Sequence, residues 1–471
     1  MNPGQEFSQQ NQPDLEVKGI DPQNRRVLSR TESVCPVCLK RLPAERVLYG
    51  SDVYMEKTCP QHGEFRTVLW RGIPSFSGWT RPKIPITPEN PFTEVKQGCP
   101  FDCGLCVDHR QQPCCVLLDV TQRCDLACSF CFASAGAQDP AGDPSLETIA
   151  NWYRRLLDAG GPFNIQLSGG EPCLRDDLPE IISLGRSLGF TFFQVNTNGL
   201  RLSKDVKFLE KLKQAGLCTV YLQFDGTSEE IFTKIRGVNL LERKIQVIEN
   251  CARLDIGVVL VPTLVPGINT GDIGGIIQFA VEHSPTVRGV HFQPVSYFGR
   301  YPLPPRDEDR ITIPEVIRAI ETQTNGKIKQ ESFIPPGGEN ALCSFHANFV
   351  IMPDGELKAL TRHETGCCSK PQRADEGARK SRLITAKHWS APKVERNPTR
   401  TYVLGEWEDF LERAKTYSFS ISGMAFQDVW NLDLERLRDC YIMQINRTGN
   451  LVPFCAYNLT NQQGLALYRG R

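Results

Sequence analysis

The stretch Val116-Leu117-Leu118-Asp119-Val120-Thr121-Gln122-Arg123-Cys124-Asp125-Leu126-Ala127-Cys128-Ser129-Phe130-Cys131-Phe132 decides how the rest of the chain is read. Its first five residues have strand character and empty into a loop with thiols at the spacing Cys-x3-Cys-x2-Cys, with Phe130 just before the last of them. Three thiolates on one short loop hold three corners of a four-iron cluster. The fourth iron then lacks a protein ligand and is free to bind a small molecule through an amine and a carboxylate. A structural zinc site would close all four positions instead.

From residue 116 to about 325, apolar runs of strand type alternate with amphipathic segments. Strands are expected at 116–120, 163–168, 190–195, 218–224, 256–263 and 288–293, and helices at 145–159, 177–188, 204–215, 241–253, 271–283 and 313–323. Such units build a parallel sheet with right-handed crossovers, whose chemistry sits where the strands end. The second strand ends in Leu167-Ser168-Gly169-Gly170-Glu171-Pro172 and the third in Asn196-Thr197-Asn198-Gly199. The fourth ends in Gln223-Phe224-Asp225-Gly226, with Arg236-Gly237 close behind. Glycine lets a ligand approach the backbone without a Cβ in the way, and alternation turns Gln223 and Asp225 toward the mouth of the sheet.

The cysteine loop followed by these strand ends resembles the radical S-adenosylmethionine (SAM) superfamily. The resemblance implies an α/β fold, a partial (β/α)6 TIM-like radical SAM barrel. It implies a catalytic [4Fe-4S] cluster on Cys124, Cys128 and Cys131, with SAM bound at the open iron. Gly169, Gly170 and Glu171 would meet the methionine amino group, Asn196 and Asn198 the ribose and the carboxylate. Phe130, Gln223 and Asp225 would complete the cofactor or substrate contacts, and apolar groups in Leu264-Val265-Pro266-Gly267-Ile268 would stack on adenine.

Ahead of the core, Cys35-Pro36-Val37-Cys38 and Cys59-Pro60-Gln61-His62 flank a strand-like stretch from Arg46 to Lys57. Cys35, Cys38, Cys59 and His62 have the spacing of a zinc ribbon or a rubredoxin-like iron site, so one mononuclear zinc or iron is expected. No basic stripe between them offers to read phosphates. A second Cys-x3-Cys-x2-Cys, of Cys99, Cys103 and Cys106, is followed by Cys114, which completes four thiolates for an auxiliary [4Fe-4S] cluster; Cys115 and His109 are alternative fourth ligands. Nearer the C-terminus come Cys343, Cys367-Cys368, Cys440 and Cys455, the last two flanking a hairpin-like Asn446-Arg447-Thr448-Gly449-Asn450. Cys173, Cys218 and Cys251 read as packing residues, and His283 and His388 have no partner of matching spacing.

The Cys-Pro knuckles, the Gly98–Cys106 stretch and Leu451-Val452-Pro453-Phe454-Cys455-Ala456-Tyr457-Asn458 narrow the resemblance to one branch, that of tetraether lipid synthase and 7,8-dihydro-6-hydroxymethylpterin methyltransferase-like proteins. In that branch, residues like Cys343, Cys368, Cys440 and Cys455 hold a second auxiliary cluster. The organisation expected is a disordered leader (1–33), a metal knuckle (34–72), a linker with the first auxiliary segment (73–115), the core (116–325) and a C-terminal auxiliary-cluster region (326–471). The segment ahead of the core is short for a cobalamin-binding domain.

Lys+Arg and Asp+Glu both total 54, so no net charge favours nucleic acid or an anionic membrane. Nineteen cysteines without a signal-like apolar segment point to reduced thiols used as ligands, hence to the cytoplasm, with peripheral membrane contact at most. The resemblance implies a radical SAM enzyme, fed by a low-potential donor such as flavodoxin or ferredoxin. It would cleave SAM to a 5′-deoxyadenosyl radical that takes hydrogen from an unactivated carbon, leading to carbon–carbon bond formation or methylation on a lipid-like or small-molecule substrate. A peptide-modifying maturase and a non-catalytic iron–sulfur electron-transfer protein are the rivals; the second leaves the Gly-Gly-Glu stretch idle. A lipid gains about 0.8 kcal/mol per CH2 moved out of water, and Phe224, Val265, Ile268, Phe292, Tyr297 and Phe298 are the expected lining of an apolar groove.

Overall fold

The structure, a computed structural model, describes residues 24–136, 142–363, 371–392 and 407–470. Residues 25–33, expected in the disordered leader, instead form most of strand β1 (Arg25–Val34), antiparallel to β2 (Arg41–Tyr49). The polar composition hides this strand because it is anchored by charge: the Thr31 hydroxyl donates to Asp433 (2.8 Å) and Glu32 accepts from Arg438 (3.2 Å). The single strand expected over 46–57 is two, since Gly50, at φ 61°, turns the chain between β2 and β3 (Asp52–Cys59). With β4 (Gly63–Arg71) they make a four-stranded sheet.

Strands β5 (Cys115–Thr121), β6 (Asn164–Gly169), β7 (Phe193–Thr197), β8 (Thr219–Gln223), β9 (Gly257–Val261) and β10 (Val287–Pro294) pair in sequence order, each parallel to the next. The helices follow the apolar period. In α1 (Leu146–Asp158), Ser145 caps the start by accepting the Thr148 N–H, and Ile149, Trp152, Tyr153 and Leu156 turn one buried stripe to the sheet. Helices α2 (Leu178–Ser187), α3 (Val206–Ala215), α5 (Leu241–Arg253), α6 (Ile273–Glu282) and α7 (Ile313–Gln323) lie where the sequence placed them; α4 (Glu229–Arg236), between α3 and α5, is additional.

The sheet continues past residue 325. After the antiparallel pair β11 (Ser344–Ile351) and β12 (Leu357–Ala359), β13 (Ser418–Met424) joins β10 in parallel, and β14 (Ile442–Ile445) joins β5 at the opposite edge. Eight parallel strands therefore stand side by side, with β11 antiparallel on β13 and β15 (Leu451–Pro453) antiparallel on β14. Among the described residues β13 does not pair with β14, and the barrel is partial.

The expected hairpin at Asn446–Asn450 joins β14 to β15. Helix α8 (Ala374–Trp389) crosses beneath the strand starts, where its carbonyls accept from Asn164 (to Arg382, 3.1 Å), Thr219 (to Trp389, 3.0 Å) and Arg288 (to His388, 3.0 Å). No helix among the described residues is long and apolar enough to cross a membrane.

Buried ion pairs bind the outlying parts to this frame. Arg46 grips Asp433 with two bonds (2.8 and 2.9 Å), Arg310 grips Asp428 (2.8 and 3.0 Å), and Lys57 donates to the Val429 carbonyl (3.0 Å). The contact between α8 and the barrel leaves no slack: a Cβ on Gly257 would stand 2.1 Å from the Trp389 carbonyl oxygen. Gly257→Ala is expected to cost about 1–3 kcal/mol in urea denaturation. Gly271→Ala, which meets nothing within 4 Å, should stay within about 0.5 kcal/mol of the parent.

Candidate active site

Strand β5 runs directly into the cysteine loop, which is tied down from outside itself. The Cys124 N–H donates to Gly136 (2.7 Å), and Cys131 and Arg300 exchange both backbone bonds (2.9 and 3.0 Å). The Arg300 side chain donates to the carbonyls of Cys128 (2.9 Å) and Ala135 (3.1 Å), while its Nη2 is buried with no hydrogen-bond partner. Burial pushes the Cys124 thiol up to about 12, so it becomes a thiolate ligand only by binding a metal. Soft sulfur donors beside a guanidinium with a buried, unused N–H fit an anionic iron–sulfur cluster.

One cavity of about 560 Å³ opens over this loop. It is lined by Cys124, Cys128, Phe130, Cys131, Gly169, Gly170, Glu171, Asn196, Asn198 and Gln223, which brings the expected catalytic and cofactor residues together except Asp225. That residue was expected at the mouth; it is fully buried, with each carboxylate oxygen held by Arg236 at 2.7 Å. Strand β8 ends at Gln223, so alternation no longer governs residue 225. Asp225 holds Arg236, whose guanidinium in turn reaches the Phe130 carbonyl at 3.5 Å.

Three further residues, Glu171, Gly169 and Gly170, do work other than that expected. The Glu171 carboxylate accepts from the Thr197 hydroxyl (2.7 Å), the Asn198 N–H (2.7 Å) and the Cys173 N–H (3.0 Å), although burial pushes its pKa up. It fastens the end of β6 to the end of β7. Gly169 and Gly170 are glycines because a Cβ would fall 2.0 Å from the Thr121 carbonyl oxygen and 2.1 Å from that of Arg123. Close packing on the cysteine loop requires them, whatever ligand also approaches. Asn198 donates to Asp125 in the same loop at 2.7 Å.

Below the loop the cavity descends into the barrel, and its wall is rich in carboxamides. Gln166, Gln194, Asn196, Gln223, His291 and Gln293 face it from four strands. Gln194 donates to Gln166 (2.7 Å), His291 Nδ1 meets the Ser422 hydroxyl (2.9 Å), and Gln223 Oε1 is buried without a partner. Burial lowers the His291 pKa to about 4 and keeps the ring neutral. Tyr221, His388 and Trp389 line the bottom, with the Tyr221 and Trp389 ring centroids 5.5 Å apart.

The opposite wall is apolar, but the sequence named the wrong residues for it. Of the six expected, Phe298 alone lines the cavity. Phe224 stacks on Phe279 instead, Phe292 is in the main core, and Val265, Ile268 and Tyr297 pack in a neighbouring cluster. Phe132, Phe426 and Phe454 make the wall with Phe298, the Phe426 and Phe454 ring centroids lying 4.4 Å apart. Gln166, Gln194, Tyr221, His388 and Trp389 were missed. The signal for the first three was present in the polar alternation Asn164-x-Gln166-x-Ser168, Gln194-x-Asn196 and Thr219-x-Tyr221-x-Gln223.

Nine of the sixteen remaining cysteines form three groups. The ligand atoms of Cys35, Cys38, Cys59 and His62 all lie within 4.8 Å of one another, which suits one metal ion rather than a cubane. Cys99, Cys103 and Cys106 gather near Tyr468, whose hydroxyl accepts the Cys103 N–H at 2.9 Å. Their expected fourth partner is elsewhere: Cys114 lines the cavity beside Cys115, with Glu339 and Arg382 as charged neighbours, and His109 is bonded to the Cys440 carbonyl at 2.8 Å. Cys343, Cys440 and Cys455 lie together. Cys367 and Cys368 fall outside the described residues. Cys173 and Cys251 are buried in the core, and His283 bonds the Phe279 carbonyl in α6 at 2.8 Å.

Residues 118–280 match the radical SAM superfamily and residues 27–71 match the HMPTM N-terminal zinc ribbon domain. The chain is 36% identical to a 7,8-dihydro-6-hydroxymethylpterin dimethyltransferase of Methanocaldococcus jannaschii, across 92% of this chain and 94% of that one. It is 26% identical to a probable GTP 3′,8-cyclase of Archaeoglobus fulgidus, across 52% of this chain and 85% of that one. Among solved structures, Streptococcus suis SuiB is 16% identical over 46% of this chain and 47% of that one, with a TM-score of 0.38.

Alanine at Cys124, Cys128 or Cys131 is expected to abolish 5′-deoxyadenosine formation, followed by chromatography, while other protein-bound iron remains. Parental turnover in any of the three would show that the catalytic cluster lies elsewhere. Asp225→Ala, which strands the buried Arg236 charge, should cost about 3–5 kcal/mol in chemical denaturation.

Proposed function

We propose, for a chain that belongs to the radical SAM superfamily and within it to the branch of the 7,8-dihydro-6-hydroxymethylpterin dimethyltransferase, that it methylates, or forms a carbon–carbon bond on, a small polar heterocycle of the pterin type. The observation that carries this reading is the carboxamide wall beneath the Cys124 loop. A barrel interior that serves only as a core is filled with branched apolar side chains, and a buried amide without a partner costs free energy. Gln166, Gln194, Gln223 and Gln293 on the cavity wall instead offer donors and acceptors to a flat ring edged with both.

A four-iron cluster with SAM supplies reductive cleavage of the sulfonium and hydrogen abstraction by the 5′-deoxyadenosyl radical. Cys124, Cys128 and Cys131 are the residues to hold the cluster, and Gly169, Gly170, Asn196 and Asn198 stand where SAM would meet the strand ends. Phe132, Phe298, Phe426 and Phe454 keep water from that region, and the floor at Tyr221, His388 and Trp389 limits how deep a substrate reaches. We further propose zinc or iron in the ribbon, one or two auxiliary clusters, a flavodoxin- or ferredoxin-type donor and a cytoplasmic location.

The phenylalanine wall favours a second reading, a lipid-like substrate with one chain in the cavity. Size speaks against it. A volume of about 560 Å³ is in the range of small-molecule sites, about 300–1,000 Å³, and SAM must share it. With reconstituted, reduced enzyme, 6-hydroxymethyl-7,8-dihydropterin should stimulate 5′-deoxyadenosine formation and dispersed phospholipid should not. Gln223→Leu should raise the KM for the pterin about tenfold, the loss of one buried hydrogen bond at about 1.4 kcal/mol. Stimulation by lipid alone would overturn the heterocycle reading.

A further inference from the structure

The buried arginines of this protein are nearly all accounted for. Arg46, Arg236 and Arg310 each grip a buried aspartate with two bonds. Arg288 spends its N–H groups on the carbonyls of Pro285, His388 and Thr416 and on the Ser418 hydroxyl. Arg436 does neither. It is buried, its Nη2 points to Cys343 Sγ (3.5 Å) and the Ala425 carbonyl (3.3 Å), and its Nε is buried without a partner.

Among the described residues no carboxylate forms an ion pair with Arg436. The acids beside it in the chain are turned away, Glu435 to Arg46 (2.7 Å) and Asp439 to Asn340 (2.9 Å). Apart from the Ala425 carbonyl its polar neighbours are sulfur: Cys343 directly, and Cys440 and Cys455 grouped with Cys343. The Gln427 N–H also points at Cys455 Sγ, at 3.3 Å. A guanidinium taken out of water with only one carbonyl and neutral thiols around it would cost several kcal/mol. The arrangement is stable if the thiols carry negative charge, and three thiolates keep that charge when they share an iron–sulfur cluster.

We infer that Arg436 is a counter-charge of an iron–sulfur cluster held by Cys343, Cys440 and Cys455, and that it keeps the reduction potential of this cluster above the value a neutral side chain would give. The inference rests on reading these thiols as an auxiliary cluster site. A fixed cation stabilises the more negative, reduced cluster more than the oxidised one, so its removal makes reduction harder. The placement gives the potential a use, because Cys440 is followed by Tyr441, which lines the same cavity as the Cys124 loop. This cluster therefore borders the chamber in which the substrate is read to react.

The test uses the full-length reconstituted protein carrying alanine at Cys124, Cys128 and Cys131, so that the catalytic cluster does not contribute. An anaerobic redox titration followed by electron paramagnetic resonance gives the midpoint of each remaining cluster, and the signal lost on Cys343→Ser identifies this one. Arg436→Gln should lower that midpoint and leave the other unchanged, whereas Arg436→Lys, which keeps the charge, should stay with the parent. An unchanged midpoint in Arg436→Gln, with the cluster present, overturns the inference alone. If Cys343→Ser removes neither iron nor signal, the cluster reading fails and takes the inference with it. Should Arg436→Gln not accumulate, Arg436→Lys decides: a midpoint at the parental value supports the role of charge, and a lowered one refutes it.

Discussion

The cysteine loop and the end of the second core strand share a contact with no room for a single carbon atom. Gly169 and Gly170 lie against the carbonyls of Thr121 and Arg123 so closely that a Cβ on either would overlap them. The N–H groups of Gly170 and Glu171 follow the same path, Gly170 donating to Thr121 and Glu171 to Arg123, each at 2.8 Å. Much of the site depends on that contact. It fixes where the three thiols point, it delivers the Glu171 carboxylate to Thr197 and Asn198, and Asn198 returns to the loop through Asp125. A closed circuit of backbone and side-chain bonds thus holds the loop in one place relative to three strand ends, as a reaction that depends on position requires.

Around this rigid mouth the barrel is hollow, with unlike sides. One side carries carboxamides and His291, the other a cluster of phenylalanines, and α8 closes the far end. The polar side costs stability when it is empty, since Gln223 Oε1 has no partner. Such a cost is a common property of binding sites, where a ligand later supplies the missing partner. The C-terminal residues are part of the same body, because β13 and β14 extend the parallel sheet at both edges and the ribbon is fastened to residues 427–438 by Arg46 and Lys57.

The core was legible because two independent patterns agree there. Apolar periods of two and of about 3.6 marked the six strands and six helices to within a few residues, and the motifs fell at the strand ends. Residues whose role depends on tertiary neighbours were not legible. Asp225 reads like a ligand contact, and only the fold shows Arg236 folded back onto it. Phe224 and Phe292 read like groove lining because they are apolar residues near strand ends; the inward positions on those strands belong to Gln223, His291 and Gln293. Strand β1 was hidden by its polar composition, and the remote pairing of β13 and β14 with the core has no local signature at all. Cys114 follows the expected spacing, yet the chain enters β5 immediately after it, which carries it to the cavity wall.

The most direct measurement of the account follows hydrogen. Enzyme reconstituted under anaerobic conditions is given SAM, a reductant and 6-hydroxymethyl-7,8-dihydropterin deuterated at its carbon-bound positions, and the 5′-deoxyadenosine is weighed by mass spectrometry. The account predicts deuterium in the 5′-deoxyadenosine, which requires the heterocycle to lie in the cavity beneath the Cys124 loop. Unlabelled 5′-deoxyadenosine, formed at the same rate with and without the heterocycle, would contradict it.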